Sequence, residues 1–338
     1  MGSALQPLRS SIPGAVEAWV AQRDAVQSGD LRGRSLVGAD LSGLDLSGRD
    51  LSNADLTDAN LRSANLTQAV LRGACLQGAQ LDEAELLGAD LEGAQLDQVS
   101  ARQAGFGRSN CRGASFFGAD LFHSTFTEAN LQRCDFRTAR LEAARMIKAE
   151  LQEADFGRAY LREANLEGAS VGEASFLDAD LRFARLRGVS GYKTANFIRT
   201  DVRDVDFSAA YQLRRQIRDE NYLHEFRTRN RLHGCLYWVW WLTSDCGRSL
   251  GRWALSTLLL TLVFGGVYQL VDIDYGEHPT PLSPFYFSVV TITTLGYGDV
   301  TPASTAGQIV AMVQVCLGYM MLGGLISIFA NKMARRAD

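Results

Sequence analysis

Every fifth residue from Leu31 to Leu186 is nearly always of one kind. Of the 32 positions in that series, 28 are Leu or Phe; the exceptions are Ala101, Cys111, Met146 and Val171. The residue two before each is Ala in 24 of the 32. Neither regular element has this period. In an α-helix five residues advance about 500°, so the large side chains would smear around the axis. In a straight strand five is odd, so they would alternate between faces. A chain that buries all of them must turn once per unit. Within a unit the Ala and the Leu two later share a side, as strand neighbours do, the small one fitting a cramped interior and the large one filling it. Stacked turns pair their backbone groups, which a Pro would disrupt, and no Pro occurs from Gly14 to His278. One extra residue near Val189–Gly191 shifts the frame, which resumes at Tyr192, Phe197, Val202 and Phe207.

The units read ADLSG, ADLTD, ANLRS, ANLTQ and EANLEG. This resembles the pentapeptide-repeat family, whose motif is A(D/N)LXX, over most of residues 31–208. The resemblance implies an all-β, right-handed quadrilateral β-helix with four units per coil. About nine coils at one strand spacing of ~4.8 Å each give a rod ~43 Å long. Such a stack needs caps. Residues 14–28, with Val16, Trp19 and Val20 at helical spacing, are expected to cap one end within a 1–30 segment, and residues 209–230 the other. Cys111 and Cys134 fall at inward positions and read as buried structural thiols, and His123 as a surface residue. The recurrent Asp and Asn before each Leu are suited to local backbone hydrogen bonds.

Charge narrows the partners. The chain of 338 residues carries a formal net charge of −4, which speaks against a nucleic-acid partner. Residues 31–210 hold 26 acidic and 21 basic side chains, too even a mixture for an acidic mimic of DNA. Six scattered Cys without a CxxC pair, and four His, offer no zinc set. No nucleophile–base cluster suggests an enzyme, and no cofactor is expected. Residues 1–30 lack the apolar stretch of a signal peptide.

The C-terminal third is of another kind. Trp253–Val271 and Thr305–Ala330 are uncharged runs, each of the ~20 residues needed to cross a bilayer. Arg248 and Arg252 precede the first; Lys332, Arg335 and Arg336 follow the second; Asp272, Asp274 and Glu277 lie between, with no Lys or Arg. The positive-inside rule then puts both termini in the cytoplasm, in a bacterial-type inner membrane. The Trp-rich segment Leu236–Leu242 is too short to span and suits the membrane interface. Residues 211–233 carry six Arg against three acidic residues and could meet anionic lipid.

Between the spans stands SPFYFSVVTITTLGYGDVTP, residues 283–302. It resembles the pore region of potassium channels: a short pore helix, then Thr294, Leu295, Gly296, Tyr297 and Gly298 as selectivity filter, with Asp299 at the outer mouth. Leu295 replaces the Val of the common TVGYG sequence. The resemblance implies that K⁺ is the permeant ion, coordinated at Thr294, Leu295, Gly296 and Tyr297, with four copies surrounding one pore. It also implies a hinge at Gly318, with Gly323 and Gly324 following, and an inner gate near Phe329 formed by Ile326 and Ala330. Small-residue helix packing is the competing account of these glycines. Where some relatives carry an acid that bonds the filter Asp, this chain has Val290, so that brace is expected to be missing.

The expected organisation is therefore multidomain: an N-terminal cap (1–30), a cytoplasmic β-helix (31–208), a linker with an interfacial helix (209–249) and an α-helical two-span pore (250–333). Within the pore the first span is set at 250–271, pore helix and filter at 283–299, and the second span at 305–331. The expected function is passive K⁺ transport as a homotetramer with lipid around it. The rods either gate the pore in response to an unidentified ligand or protein, or only dock. The alternative is a membrane-tethered pentapeptide-repeat binding protein whose pore is non-selective or non-conducting. Val99, Ala101, Ser109 and Cys111 mark one irregular coil, either a soft spot or a tolerated imperfection.

Overall fold

A computed structural model describes residues 30–208, 210–276 and 279–337. The expected cap with Val16, Trp19 and Val20, and the flanking charge Glu277, lie outside the described residues. The chain divides into two compact units, with the boundary between His224 and Glu225.

The first unit is a four-sided β-helix. Parallel bridges join residues 20 apart, from Ser35 with Asp55 through Ser170 with Ser190, so five-residue units close into 20-residue coils. After the extra residue the spacing is 21, as in Ser175 with Asn196 and Arg185 with Asp206. Gly191, at φ 75°, and a short 3₁₀ turn at Tyr192–Thr194 absorb that residue. A Cβ at Gly191 would stand 2.7 Å from the Gly172 amide nitrogen of the preceding coil, so only Gly fits there. Each corner is a turn closed by its own hydrogen bond, as from Ala39 N–H to Leu36 O at 3.0 Å. Neighbouring coils are joined by further bonds, such as Leu36 N–H to Asp55 O at 2.6 Å and Gly38 N–H to Thr57 O at 2.8 Å. The third residue of each turn is left-handed, and it is often not Gly: Asn53, Glu128, Thr138 and Phe183 have φ of 55° to 60°. Left-handed backbone costs an L-residue roughly 1–2 kcal/mol, a cost the inter-coil ladder offsets.

The Asp and Asn before each Leu make two sets of bonds. Asp55 accepts from the Thr57 hydroxyl at 2.6 Å and its amide at 3.1 Å, an Asx turn. Asn60 donates to Asp40 on the previous coil at 3.0 Å, and Asn65 to Asp45 at 2.9 Å, so the columns are also stitched. The Thr57 hydroxyl and then its amide hold the Asp55 carboxyl below its ordinary range, and Ser208 does the same for Asp206.

The irregular coil is closely packed rather than soft. Phe106 and Phe116 point inward from opposite sides and meet edge-on, centroids 5.8 Å apart. Ala101 and Cys111 occupy the other two sides of that layer, and all four are fully buried. Two large and two small residues thus share a volume that four Leu fill in the coils before it. From Phe116 upward one column is aromatic throughout: Phe116, Phe136, Phe156, Phe176 and Phe197 stack at 4.9–5.0 Å. Ser109, which replaces the usual Ala, bonds the Phe106 carbonyl at 2.8 Å. Cys111 and Cys134 are buried as expected; burial pushes the Cys111 thiol up to about 12 and Cys134 well above its usual value. His123 is an exposed corner residue.

Helix α1 (Tyr211–Thr228) closes the end of this stack with Leu213 and Ile217 fully buried. Its polar side chains occupy the last coil's free backbone groups. Asn221 accepts from Arg199 N–H at 2.6 Å and donates to Phe197 O at 3.3 Å, and Gln216 donates to Tyr192 O at 3.1 Å. The first unit therefore runs through most of α1, past the boundary expected at residue 208. A helix packed there gives an open coil end the cover it requires.

The second unit holds α2 (Arg231–Ser244), α3 (Leu250–Val267), α4 (Ser283–Ile292) and α5 (Thr305–Ala337). Strands β1 (Ile273–Asp274) and β2 (Thr301–Pro302) pair antiparallel between them. Asn230 caps α2, accepting from His233 N–H at 2.8 Å, and Ser249 caps α3, accepting from Arg252 N–H at 3.2 Å. α3 ends at Val267, short of the expected residue 271, because the chain turns at Tyr268–Leu270 toward β1. α5 continues to Ala337, beyond the expected 331.

Two outcomes test the rod. Ala101→Leu overfills its layer and should cost about 1–3 kcal/mol, whereas Ala101→Leu with Phe106→Leu should recover most of the loss; a urea-unfolding double-mutant cycle reads the coupling. Because the folded-state carboxyls of Asp55 and Asp206 titrate below their ordinary value, their contribution is present above the unfolded-state value and vanishes as pH falls through the folded one. The rod's melting temperature should therefore fall on acidification from pH 5 to about pH 3.

Candidate ion-conduction site

The candidate site is the segment that follows α4. Pro284 starts this ten-residue helix, where a missing N–H costs nothing, and Thr293 ends it, its hydroxyl donating to Val289 O at 2.7 Å. The helix C-terminus carries partial negative charge, which favours a cation beyond it. From there the backbone alternates in hand. Thr294, Gly296 and Gly298 are left-handed, with φ of 57°, 53° and 79°, while Leu295 and Tyr297 are not. Glycine takes such angles freely. Thr294 does not, and a β-branched residue held there is the kind of local strain that marks functional backbone. Thr294 N–H still bonds Thr291 O at 3.1 Å and Leu295 N–H bonds Val290 O at 3.1 Å, which fixes the start of the segment to α4.

Leu295 and Tyr297 are 57% and 66% exposed within a single chain. So are most apolar residues of the spans: only 11% of the Thr305–Ala330 stretch is buried inside the chain. A soluble protein's core helix would be covered. Apolar surface on this scale is matched to lipid and to further copies of the domain.

Asp299 is held by Tyr286, whose hydroxyl donates to Oδ2 at 2.7 Å. Val290, where some relatives carry an acid, is buried and apolar; Asp299 finds its partner one turn earlier on the same helix. Sequence reasoning looked for an acid and passed over a phenol, although Tyr286 lies on the same helix.

Gly318 faces α4. A Cβ there would run into the Ile292 carbonyl oxygen, so α5 crosses the end of α4 at backbone contact. This is close packing of the kind small residues allow, and it needs no bend at Gly318. Ile326 and Ala330 lie farther along α5, both exposed within the chain. Between them and Gly318, the Trp253 indole N–H of α3 donates to Met321 O at 3.0 Å. Among the described residues no cluster of three or more His, Cys, Asp or Glu could hold a metal ion.

Gly318→Ala should lower the melting temperature of the purified chain in detergent by the equivalent of about 1–3 kcal/mol, as overpacking does. Gly323→Ala, with nothing within 4 Å of the new Cβ in the chain, should change it little.

Comparison with known proteins agrees with both halves of this picture. Residues 35–100 and 119–190 match the family of pentapeptide repeats, and residues 256–335 match the ion channel family. Over 69 residues the chain is 38% identical to potassium channel subfamily T member 1 of Homo sapiens, covering 20% of this chain and 6% of that one. Over 98 residues it is 33% identical to two-pore potassium channel 1 of Arabidopsis thaliana, covering 28% of this chain and 27% of that one. The chain therefore spans only a small part of these curated relatives. Among solved structures it is similar to HetL, a pentapeptide repeat protein involved in heterocyst differentiation regulation from the cyanobacterium Nostoc, at 30% identity and TM-score 0.30, covering 52% of this chain and 83% of that one. The chain carries pentapeptide repeats joined to a two-span helical domain that matches the ion channel family.

Proposed function

We propose that the protein is a potassium-selective channel that lets K⁺ pass down its electrochemical gradient as a homotetramer. The observation that carries this reading is the short helix α4 ending in a segment of alternating hand, Thr294–Gly298, between two helices of spanning length. A bare K⁺ must exchange its hydration shell for rings of oxygens. The carbonyls of Thr294, Leu295, Gly296 and Tyr297, with the Thr294 hydroxyl, are the groups that would supply them, and Asp299 adds negative charge at the outer mouth. One chain encloses no pore; four around an axis do, and closed symmetry favours that assembly. No cofactor is needed.

Both termini belong in the cytoplasm of a bacterial-type inner membrane on this reading, with Arg248 and Arg252 on the inner side and Asp272 and Asp274 on the outer. Helix α2 then lies in the inner interface. Leu232, Leu236, Val239 and Leu242 form an exposed stripe on it, while Arg252 rests over the Trp241 ring at 5.2 Å and Arg227 over Trp238 at 5.7 Å. Aromatic rings and arginines side by side suit lipid headgroups.

The mechanical path favours gating by the rods over passive docking. α2 packs on α3, where Ser256 donates to Thr243 O at 3.2 Å. α3 grips α5 through Trp253 and Met321, about one helical turn before Ile326. A load arriving through α2 would reach α5 beside the proposed constriction at Ile326 and Ala330.

The test is a reversal potential with the full chain in a planar bilayer, K⁺ on one side and Na⁺ on the other. A value at the K⁺ equilibrium potential is expected. Current reversing near zero would sink potassium selectivity. Absence of current from a properly assembled tetramer in every condition, rod deletion included, would favour a tethered binding protein instead.

A further inference from the structure

Away from the filter, three helices share a polar knot in an apolar interior. Gln314 of α5, Ser288 of α4 and Tyr268 at the end of α3 are each 0% exposed. The Tyr268 hydroxyl donates to Gln314 Oε1 at 2.6 Å. Gln314 Nε2 donates to the Ser288 carbonyl at 3.0 Å and lies 2.7 Å from its hydroxyl. The Ser288 hydroxyl in turn donates to Thr261 O of α3 at 2.8 Å. Both ends of the amide are occupied, and the chain of bonds runs from α3 through α5 to α4 and back to α3.

Such a group is costly in lipid unless its partners are always present. A Leu of similar volume would fill the space but make none of these bonds. The amide therefore supplies something that shape does not, and that is direction. α4 has only ten residues, and its C-terminus sets where Thr294 begins. Packing alone lets a short helix slide or turn about its axis. Phe285 against Gly265, and Tyr268 against Phe287 at 4.7 Å between centroids, fix its distance from α3. The bonds to Ser288 fix its rotation and its height. Val290, two residues further along α4, has no polar side-chain atom with which to do this.

We propose that Gln314 is a positioning residue for ion selection: its side-chain amide locks α4 to both spans and so holds the filter segment in place. The proposal rests on the potassium-conduction reading above.

The experiment uses the full chain in liposomes with two readouts: the K⁺/Na⁺ permeability ratio under bi-ionic conditions, and the extra thermal stability that K⁺ gives over Na⁺, since an ion that binds only the folded filter raises its melting temperature. Gln314→Leu should lower the permeability ratio by about tenfold, a change of ~1.4 kcal/mol, and remove most of the K⁺-specific stabilisation. Gln314→Glu should retain both, because a protonated carboxyl in this shielded site accepts from Tyr268 and donates to Ser288. A merely structural role would lower stability equally in K⁺ and Na⁺ and leave the ratio unchanged, and that result overturns the proposal. If Gln314→Leu yields no folded protein, Ser288→Ala removes the hydroxyl's bonds with Gln314 and Thr261 and Tyr268→Phe removes the bond to Gln314, each with little change of shape; an unaltered ratio in both overturns it as well. Wild-type protein with neither K⁺ preference nor K⁺-specific stabilisation defeats the conduction reading itself, and the proposal with it.

Discussion

Backbone amides and carbonyls that leave water must find partners, and the two halves of this chain meet that demand in unlike ways. In the rod each coil is satisfied by the coils beside it, so every unit depends on register with its neighbours 20 residues away. In the second unit each helix satisfies itself, which is what a lipid environment requires. The exceptions are informative. At the end of the rod, where the ladder has no next coil, Asn221 and Gln216 of α1 stand in for it. At Thr294–Gly298 regular pairing gives way to alternating backbone hand. Oxygens not committed to a ladder or a helix are the ones free to meet an ion.

The rod's interior adds a second demand, dense packing of the four inward residues that share each layer. Ala101 and Cys111 look like defects in a Leu series, yet they sit in the layer where Phe106 and Phe116 meet edge-on. Once Phe enters one column at Phe116, stacking carries it upward through Phe197.

In the second unit the demand is placement of one short helix. Its contacts divide by kind. Small residues let backbones touch, as at Gly265 and Gly318. Aromatic rings fill space, as at Tyr268 and Phe287. Directed bonds set orientation, as at Tyr286 with Asp299 and Gln314 with Ser288. Only the last kind resists rotation about the helix axis.

Much of this was legible in the sequence. A five-residue period excludes helix and straight strand by arithmetic alone, and the extra residue near Gly191 shows as a break in phase. Two apolar runs and the TLGYGD segment are local patterns that need no partner to be read. What stayed hidden depends on residues far apart in the chain. The compensation at Ala101 involves side chains on opposite walls of a coil. The bond from Tyr286 to Asp299 spans the filter, and Gln314 is one polar letter in an apolar run until α4 is laid against it. The capping of this end by residues 209–230 was expected, but the bonds from Asn221 and Gln216 to the last coil were not legible. The sequence by itself determined the two architectures, because each is set by short-range periodicity and hydropathy; only the tertiary structure decided which residues hold the Thr294–Gly298 segment, because directed contacts between distant positions leave no periodic trace.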